Sequence, residues 1–201
     1  MKKVKILSVD FQKDFTSERG KAYKRRPSVS FVKEILVPYL EEKNIKVAEI
    51  ISDYRQPRRG DRGALCCPGT TGYESEISKD VKAQKPWIKC MNSPIWVRDN
   101  IGDPEKKPGL PIQSPHAFTA WLTTHVGKPG QTTVVLVGLT LDCCVLCTAQ
   151  ELSFRGYEVR VLEEATDTFS GDQQEKKQIL HNPPLSNWAG TITWNTLQKK
   201  L

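Results

Sequence analysis

Residues 132–145 read TTVVLVGLTLDCCV. The first six are nearly continuous in their hydrophobicity, as a strand buried on both faces is. Gly138 permits a tight turn, and Asp142 can cap the helix that follows. That helix is expected to run from about 142 to 154 and to stop at Gly156. A buried strand that turns directly into a helix is the repeating unit of a parallel sheet.

Working outward, further short, β-branched strands are expected at 4–9 (VKILSV), 47–52 (VAEIIS), 86–89 (PWIK), 157–162 (YEVRVL) and 190–194 (GTITW). Helical spacing falls between them. Phe31, Ile35, Leu36, Tyr39 and Leu40 recur on one face after Ser28 and Ser30, the candidate caps. Ser114-Pro115 opens a second helix that buries Phe118, Trp121 and Leu122. Strand–helix alternation over 201 residues predicts one α/β domain, 1–201. Its architecture is expected to be three-layer α-β-α, with a doubly wound sheet of about six mostly parallel strands.

Composition narrows the function. Hydrophobic residues at 38% and charged residues at 26% make a globular chain, not a disordered one. No apolar run spans a bilayer and no signal-peptide pattern opens the chain, so a cytoplasmic protein is expected. Net charge is +7, and residues 1–33 carry the whole excess, densest at Lys21, Lys24, Arg25 and Arg26. A nucleic-acid reading of KAYKRR is disfavoured, because only Tyr23 is interleaved for stacking. The six cysteines (66, 67, 90, 143, 144 and 147) lack the spacing of a zinc site or a disulfide exchanger, and reduced thiols are expected.

In doubly wound sheets, ligands bind beyond the carboxyl ends of the strands. Three chemical groups stand there. Asp10 ends the first strand, where scarce water can turn a carboxylate into a base. Lys89 ends the PWIK strand, where an ammonium can neutralise a carboxylate or a developing anion. A cysteine of the pair 143–144 falls in the first turn of a helix, a position that lowers a thiol pKa and offers free amides to an oxyanion. Each group alone has an ordinary structural explanation; the three together form a pattern.

That pattern resembles the isochorismatase-like cysteine hydrolases, the superfamily of nicotinamidases and carbamoylsarcosine amidohydrolases, over nearly the whole chain. Val9-Asp10-Phe11-Gln12 with Phe15 resembles the opening motif, and Lys89 with Asn92, Ser93 and Pro94 the central one, although Ile95 replaces the usual aromatic. Gly138-Leu139-x-x-Asp142-x-Cys144-Val145, continuing to Gly156-Tyr157, resembles the nucleophile segment. The resemblance implies catalysis by Asp10, Lys89 and Cys144, and an oxyanion hole from the amides of Thr140 and Cys144. It also implies a cis peptide at Leu139–Thr140 and substrate contacts from Phe15, Tyr54 and Leu139. No cofactor is implied, and a small-molecule substrate and a homo-oligomer are expected; the basic loop, which follows the strand carrying Asp10, points to an anionic substrate.

One part of the family pattern is missing. Nicotinamidases hold a metal through an Asp-x-His segment and two further histidines. Here residues 52–59 read SDYRQPRR and Leu65 precedes Cys66-Cys67-Pro68-Gly69-Thr70, so Asp53 alone of the ligand set is retained. Arginine cannot ligate a cation, and no metal is expected. The resulting expectation is a metal-independent, cysteine-dependent hydrolase of amide-type C–N bonds; the alternative is an inactive partner-binding protein of the same fold.

Overall fold

The computed structural model describes residues 2–57, 63–83 and 85–201. Its centre is a six-stranded sheet, parallel throughout, in the order β3-β2-β1-β6-β7-β8. These strands are β1 (Lys3–Val9), β2 (Ala48–Ser52), β3 (Trp87–Lys89), β6 (Thr132–Leu139), β7 (Glu158–Asp167) and β8 (Gly190–Ile192). A separate antiparallel pair joins β4 (Trp96–Val97) to β5 (Ile112–Gln113).

The near-continuous hydrophobicity of β6 follows from its place in the middle of the sheet. Val135 and Val137 pack on one face with Ile6, Leu36 and Leu40; Val134 and Leu136 pack on the other with Leu7, Phe118 and Leu152. The first face is covered by α2 (Pro27–Phe31), a π-helical stretch Val32–Leu36, α3 (Val37–Glu42) and α7 (Trp194–Gln198). The second is covered by α4 (Pro115–His125), α5 (Cys144–Phe154) and α6 (Gln173–His181). A short α1 (Lys13–Thr16) follows β1. This is the three-layer, doubly wound fold expected from the sequence. Among the described residues no helix is long and apolar enough to cross a membrane.

Several local expectations are corrected. The first long helix starts at Pro27, not after Ser28 or Ser30, and Arg26 occupies its N-cap without a side-chain capping bond. The Ser28 amide instead donates to Asp167 Oδ2 at 2.8 Å. Asp142 does not cap α5: its Oδ1 accepts from the Phe169 amide, and Cys143 is the N-cap. β7 runs five residues past Leu162, and Trp194 belongs to α7.

Gly138 has a single physical explanation. Its φ is +110°, and a Cβ there would lie 2.1 Å from the Val9 carbonyl oxygen. The β1 backbone thus fills the space a side chain would need at Gly138, where the sheet reverses its order, and only glycine fits.

Candidate active site

Four adjacent strands, β3, β2, β1 and β6, deliver side chains to one point beyond their carboxyl ends. Lys89 is the last residue of β3, Ser52 the last of β2, Asp10 the first after β1, and Cys144 the first of α5. Asp10 takes a left-handed conformation, φ +49°, uncommon for a residue with a side chain. Its amide donates to the Ile50 carbonyl at 2.8 Å, holding the turn against β2.

The cluster is dry. Lys89 is 0% exposed, Asp10 1% and Cys144 6%. Lys89 Nζ donates to Asp10 Oδ2 at 2.7 Å, Ser52 Oγ at 2.8 Å and Tyr54 Oη at 2.7 Å, and lies 3.3 Å from Cys144 Sγ. Ser52 Oγ in turn donates to Asp10 Oδ1 at 2.8 Å, so both carboxylate oxygens are engaged. Tyr54 Oη is 3.4 Å from the sulfur, and Sγ donates to Asn92 Oδ1 at 3.7 Å.

Burial works against the charge on Lys89, but Asp10, Cys144 and Tyr54 outweigh it and hold the ammonium well above its ordinary pKa. The expected lowering of the thiol pKa by the helix N-terminus does not occur. Burial, followed by the Asp10 charge, pushes Cys144 up to about 12, against the smaller opposite pull of Lys89 and Tyr54. At rest the site therefore holds an ammonium beside a neutral thiol.

Around that thiol the turn is unusual. The Leu139–Thr140 peptide is cis. The Thr140 carbonyl accepts from the amides of Cys143 (3.1 Å) and Val145 (3.0 Å). Among the described residues no hydrogen bond is formed by the amides of Thr140 and Cys144, so both can take a further acceptor.

A cavity of about 1220 Å³ opens onto the cluster. Asp10, Phe15, Tyr54, Leu139, Thr140 and Cys144 line it, and Lys89 lies behind them. The structure thus places Asp10, Phe15, Tyr54, Lys89, Leu139, Thr140 and Cys144 around one cavity. Ser52 and Asn92 are the members that strand-end reasoning did not assign a contact. A serine closing a buried strand was the available signal for the first.

The basic loop splits into two roles. Lys21 and Lys24 line the cavity; Lys21 Nζ donates to the Ala64 carbonyl at 3.0 Å, and Lys24 Nζ stands 4.5 Å from the Phe169 ring centroid. Arg26 is instead 2% exposed and donates to the carbonyls of Phe15, Thr168 and Phe169. It is a buried clamp between α1 and the end of β7.

Residues at the metal position that the sequence resemblance points to do not fit a cation. Both Asp53 oxygens are taken by Arg55, through Nε at 2.9 Å and Nη2 at 2.7 Å, and Oδ2 also accepts from the Gly102 amide. Tyr54 and Leu65 bring no ligand atom to Asp53, and Arg58 and Arg59 lie outside the described residues. Among the described residues no three His, Cys, Asp or Glu side chains group closely enough to hold a metal. Arg55 also donates to the carbonyls of Asn100, Asp103 and Lys106, tying the long 99–115 loop to the end of β2.

A six-stranded parallel sheet flanked by helices in this way matches the fold of solved isochorismatase-like proteins. Residues 112–181, from β5 through α6, match the isochorismatase domain family. An isochorismatase-like hydrolase from Alkaliphilus metalliredigens superposes with a TM-score of 0.63 at 18% identity, over 99% of this chain and 96% of its own. A pyrazinamidase/nicotinamidase from Streptococcus mutans does so with 0.62 at 20% identity, over 94% and 99%. A pyrazinamidase of Pyrococcus horikoshii, solved in complex with zinc, gives 0.63 at 15% identity over 96% and 99%. No curated protein matches the chain by sequence. At these identities the superpositions establish the fold.

Proposed function

We propose that this chain is a metal-independent cysteine hydrolase that cleaves an amide-type C–N bond of a small molecule. The observation that carries the reading is the position of Lys89 Nζ, in contact with both Asp10 (2.7 Å) and Cys144 Sγ (3.3 Å) at the base of an open cavity.

That position resolves the high thiol pKa. Ionising Cys144 beside an ionised Asp10 places two negative charges against one ammonium. Moving the sulfur proton onto Asp10 instead leaves the net charge of the cluster unchanged: Lys89 exchanges a carboxylate partner for a thiolate. The thiolate attacks the carbonyl carbon, forming a C–S bond, and the oxyanion is received by the Thr140 and Cys144 amides. The C–N bond breaks as the amine takes the proton from Asp10. Water then gives its proton to Asp10 and attacks the thioester, releasing acid and thiol.

The cavity wall favours an anionic substrate. Lys21 and Lys24 stand on it, and its sole carboxylate among the described residues, Asp10, is already paired with Lys89. Phe15, Tyr23, Trp96 and Phe169 add aromatic surface.

The test is a screen of small amides, ureides and nitriles, with and without a carboxylate, against wild type, Cys144→Ala and Cys143→Ser. Turnover by wild type and Cys143→Ser, a thioester adduct mapped to Cys144, and at least a thousandfold loss in Cys144→Ala are expected. Full activity in Cys144→Ala, or loss only in Cys143→Ser, overturns the assignment.

A further inference from the structure

Tyr54 follows β2 by two residues and is 1% exposed. An aromatic there reads as a cavity wall, but its hydroxyl reaches behind the wall to three groups. Lys89 Nζ is 2.7 Å away, the Met91 carbonyl 3.3 Å and Cys144 Sγ 3.4 Å.

Counting hydrogens shows what that hydroxyl can do. An ammonium has three hydrogens and no lone pair. The three short contacts of Lys89, to Asp10, Ser52 and Tyr54, account for all three. The Ser52 hydrogen is committed to Asp10, so Ser52 accepts from Lys89. Tyr54 Oη likewise accepts from the ammonium, and both the Met91 carbonyl and Cys144 Sγ lie within reach of its own hydrogen. Sulfur at 3.3 Å from Nζ competes for those same three hydrogens, and Tyr54 Oη at 3.4 Å can supply it with its own hydrogen.

The two acceptors differ in how they change. The Met91 carbonyl is constant. Sγ is a weak acceptor as a thiol and a strong one as a thiolate, since an ionised acceptor roughly doubles a hydrogen bond. Once an acyl group is attached, the sulfur is weak again. We propose that Tyr54 is a catalytic residue whose hydroxyl turns from the Met91 carbonyl to Cys144 Sγ when the thiol ionises, and back when the C–S bond forms. The proposal rests on Cys144 being the nucleophile, and no proton leaves Tyr54 at any step.

Groups facing the sulfur are Asp10 from β1, Tyr54 beyond β2, Cys66 from the following loop, Lys89 from β3, and Asn92. Tyr54→Phe keeps the ring and removes both the donor to sulfur and an acceptor for the Lys89 ammonium. The readout is the iodoacetamide alkylation rate at Cys144, mapped by peptide mass, from pH 7 to 10. The rate is expected to fall about tenfold at each pH, the equivalent of one pKa unit. Asp10→Asn/Tyr54→Phe is expected to fall by a similar factor relative to Asp10→Asn. Site-specific 3-fluorotyrosine at position 54, a stronger donor of the same shape, is expected to raise the rate; this arm stands if the phenylalanine variant unfolds. A Tyr54→Phe rate equal to or above wild type, or no response to the fluorinated residue, overturns the proposal. Alkylation needs no substrate, so the hydrolase reading fails separately, through the absence of any acyl-enzyme.

Discussion

Asp10 has two opposed effects on Cys144. It is the acceptor for the sulfur proton, and its charge is also a main reason that the thiol pKa stands at about 12. Replacing it with asparagine removes both effects at once. With the carboxylate gone, the pull of Lys89 on the sulfur is unopposed, so the Cys144 pKa falls. Asp10→Asn is expected to be alkylated by iodoacetamide at least about tenfold faster at pH 8, where the wild-type thiol is almost fully protonated. Hydrolysis should fall about 10²- to 10⁴-fold in the same variant, because the proton has nowhere to go. Slower alkylation than wild type would mean that Asp10 supports the thiolate rather than suppressing it. At this scale Asp10, Lys89 and Cys144 were legible because each follows a recognisable strand. The contacts of Ser52 and Tyr54 were not, since they depend on how β1, β2 and β3 register against one another.

Among the elements, the β6–turn–α5 unit sets the geometry of the nucleophile, and Gly138 is its tightest point. Gly138→Ala puts a methyl group 2.1 Å from the Val9 carbonyl, at a φ that alanine rarely adopts. The clash is with backbone, which cannot swing aside as a side chain would. A loss of about 3 kcal/mol or more is expected, read as the urea midpoint. Any folded fraction should also alkylate Cys144 at an altered rate, because Asp10 follows Val9 directly. A variant of wild-type stability would show that β1 and β6 can separate without cost. The unit was readable because its apolar run and its turn are adjacent in sequence. β7 was read too short, since Glu163 and Glu164 interrupt its hydrophobicity. The strand continues because Thr166 and Asp167 pair with Gly138 and Leu139 beyond a register shift in the neighbouring strand. The polar helix α6 buries only Lys176 and Leu180, so no periodicity announced it. Its signal was Asp172, whose Oδ1 accepts from the amides of Gln174 and Glu175.

For the whole molecule, two of the basic residues behind the +7 of the sequence stand at one opening. Arg26, part of the same basic run, is spent inside the fold on three carbonyls, so reversing its charge would report on folding alone. Lys21 and Lys24 are exposed and stand on the cavity wall. A wall with two ammonium groups and low-dielectric sides concentrates field lines, and raises the local concentration of an anion. Lys21→Glu/Lys24→Glu should therefore lower kcat/KM for carboxylate-bearing amides about tenfold at low ionic strength. The deficit should shrink as salt rises and the screening length falls below ~10 Å. Neutral amides of the same size should be little affected, and Cys144 alkylation by uncharged iodoacetamide should stay near the wild-type rate. An equal loss for charged and neutral amides would place the effect in the loop's packing, through the Lys21–Ala64 contact, rather than in its charge.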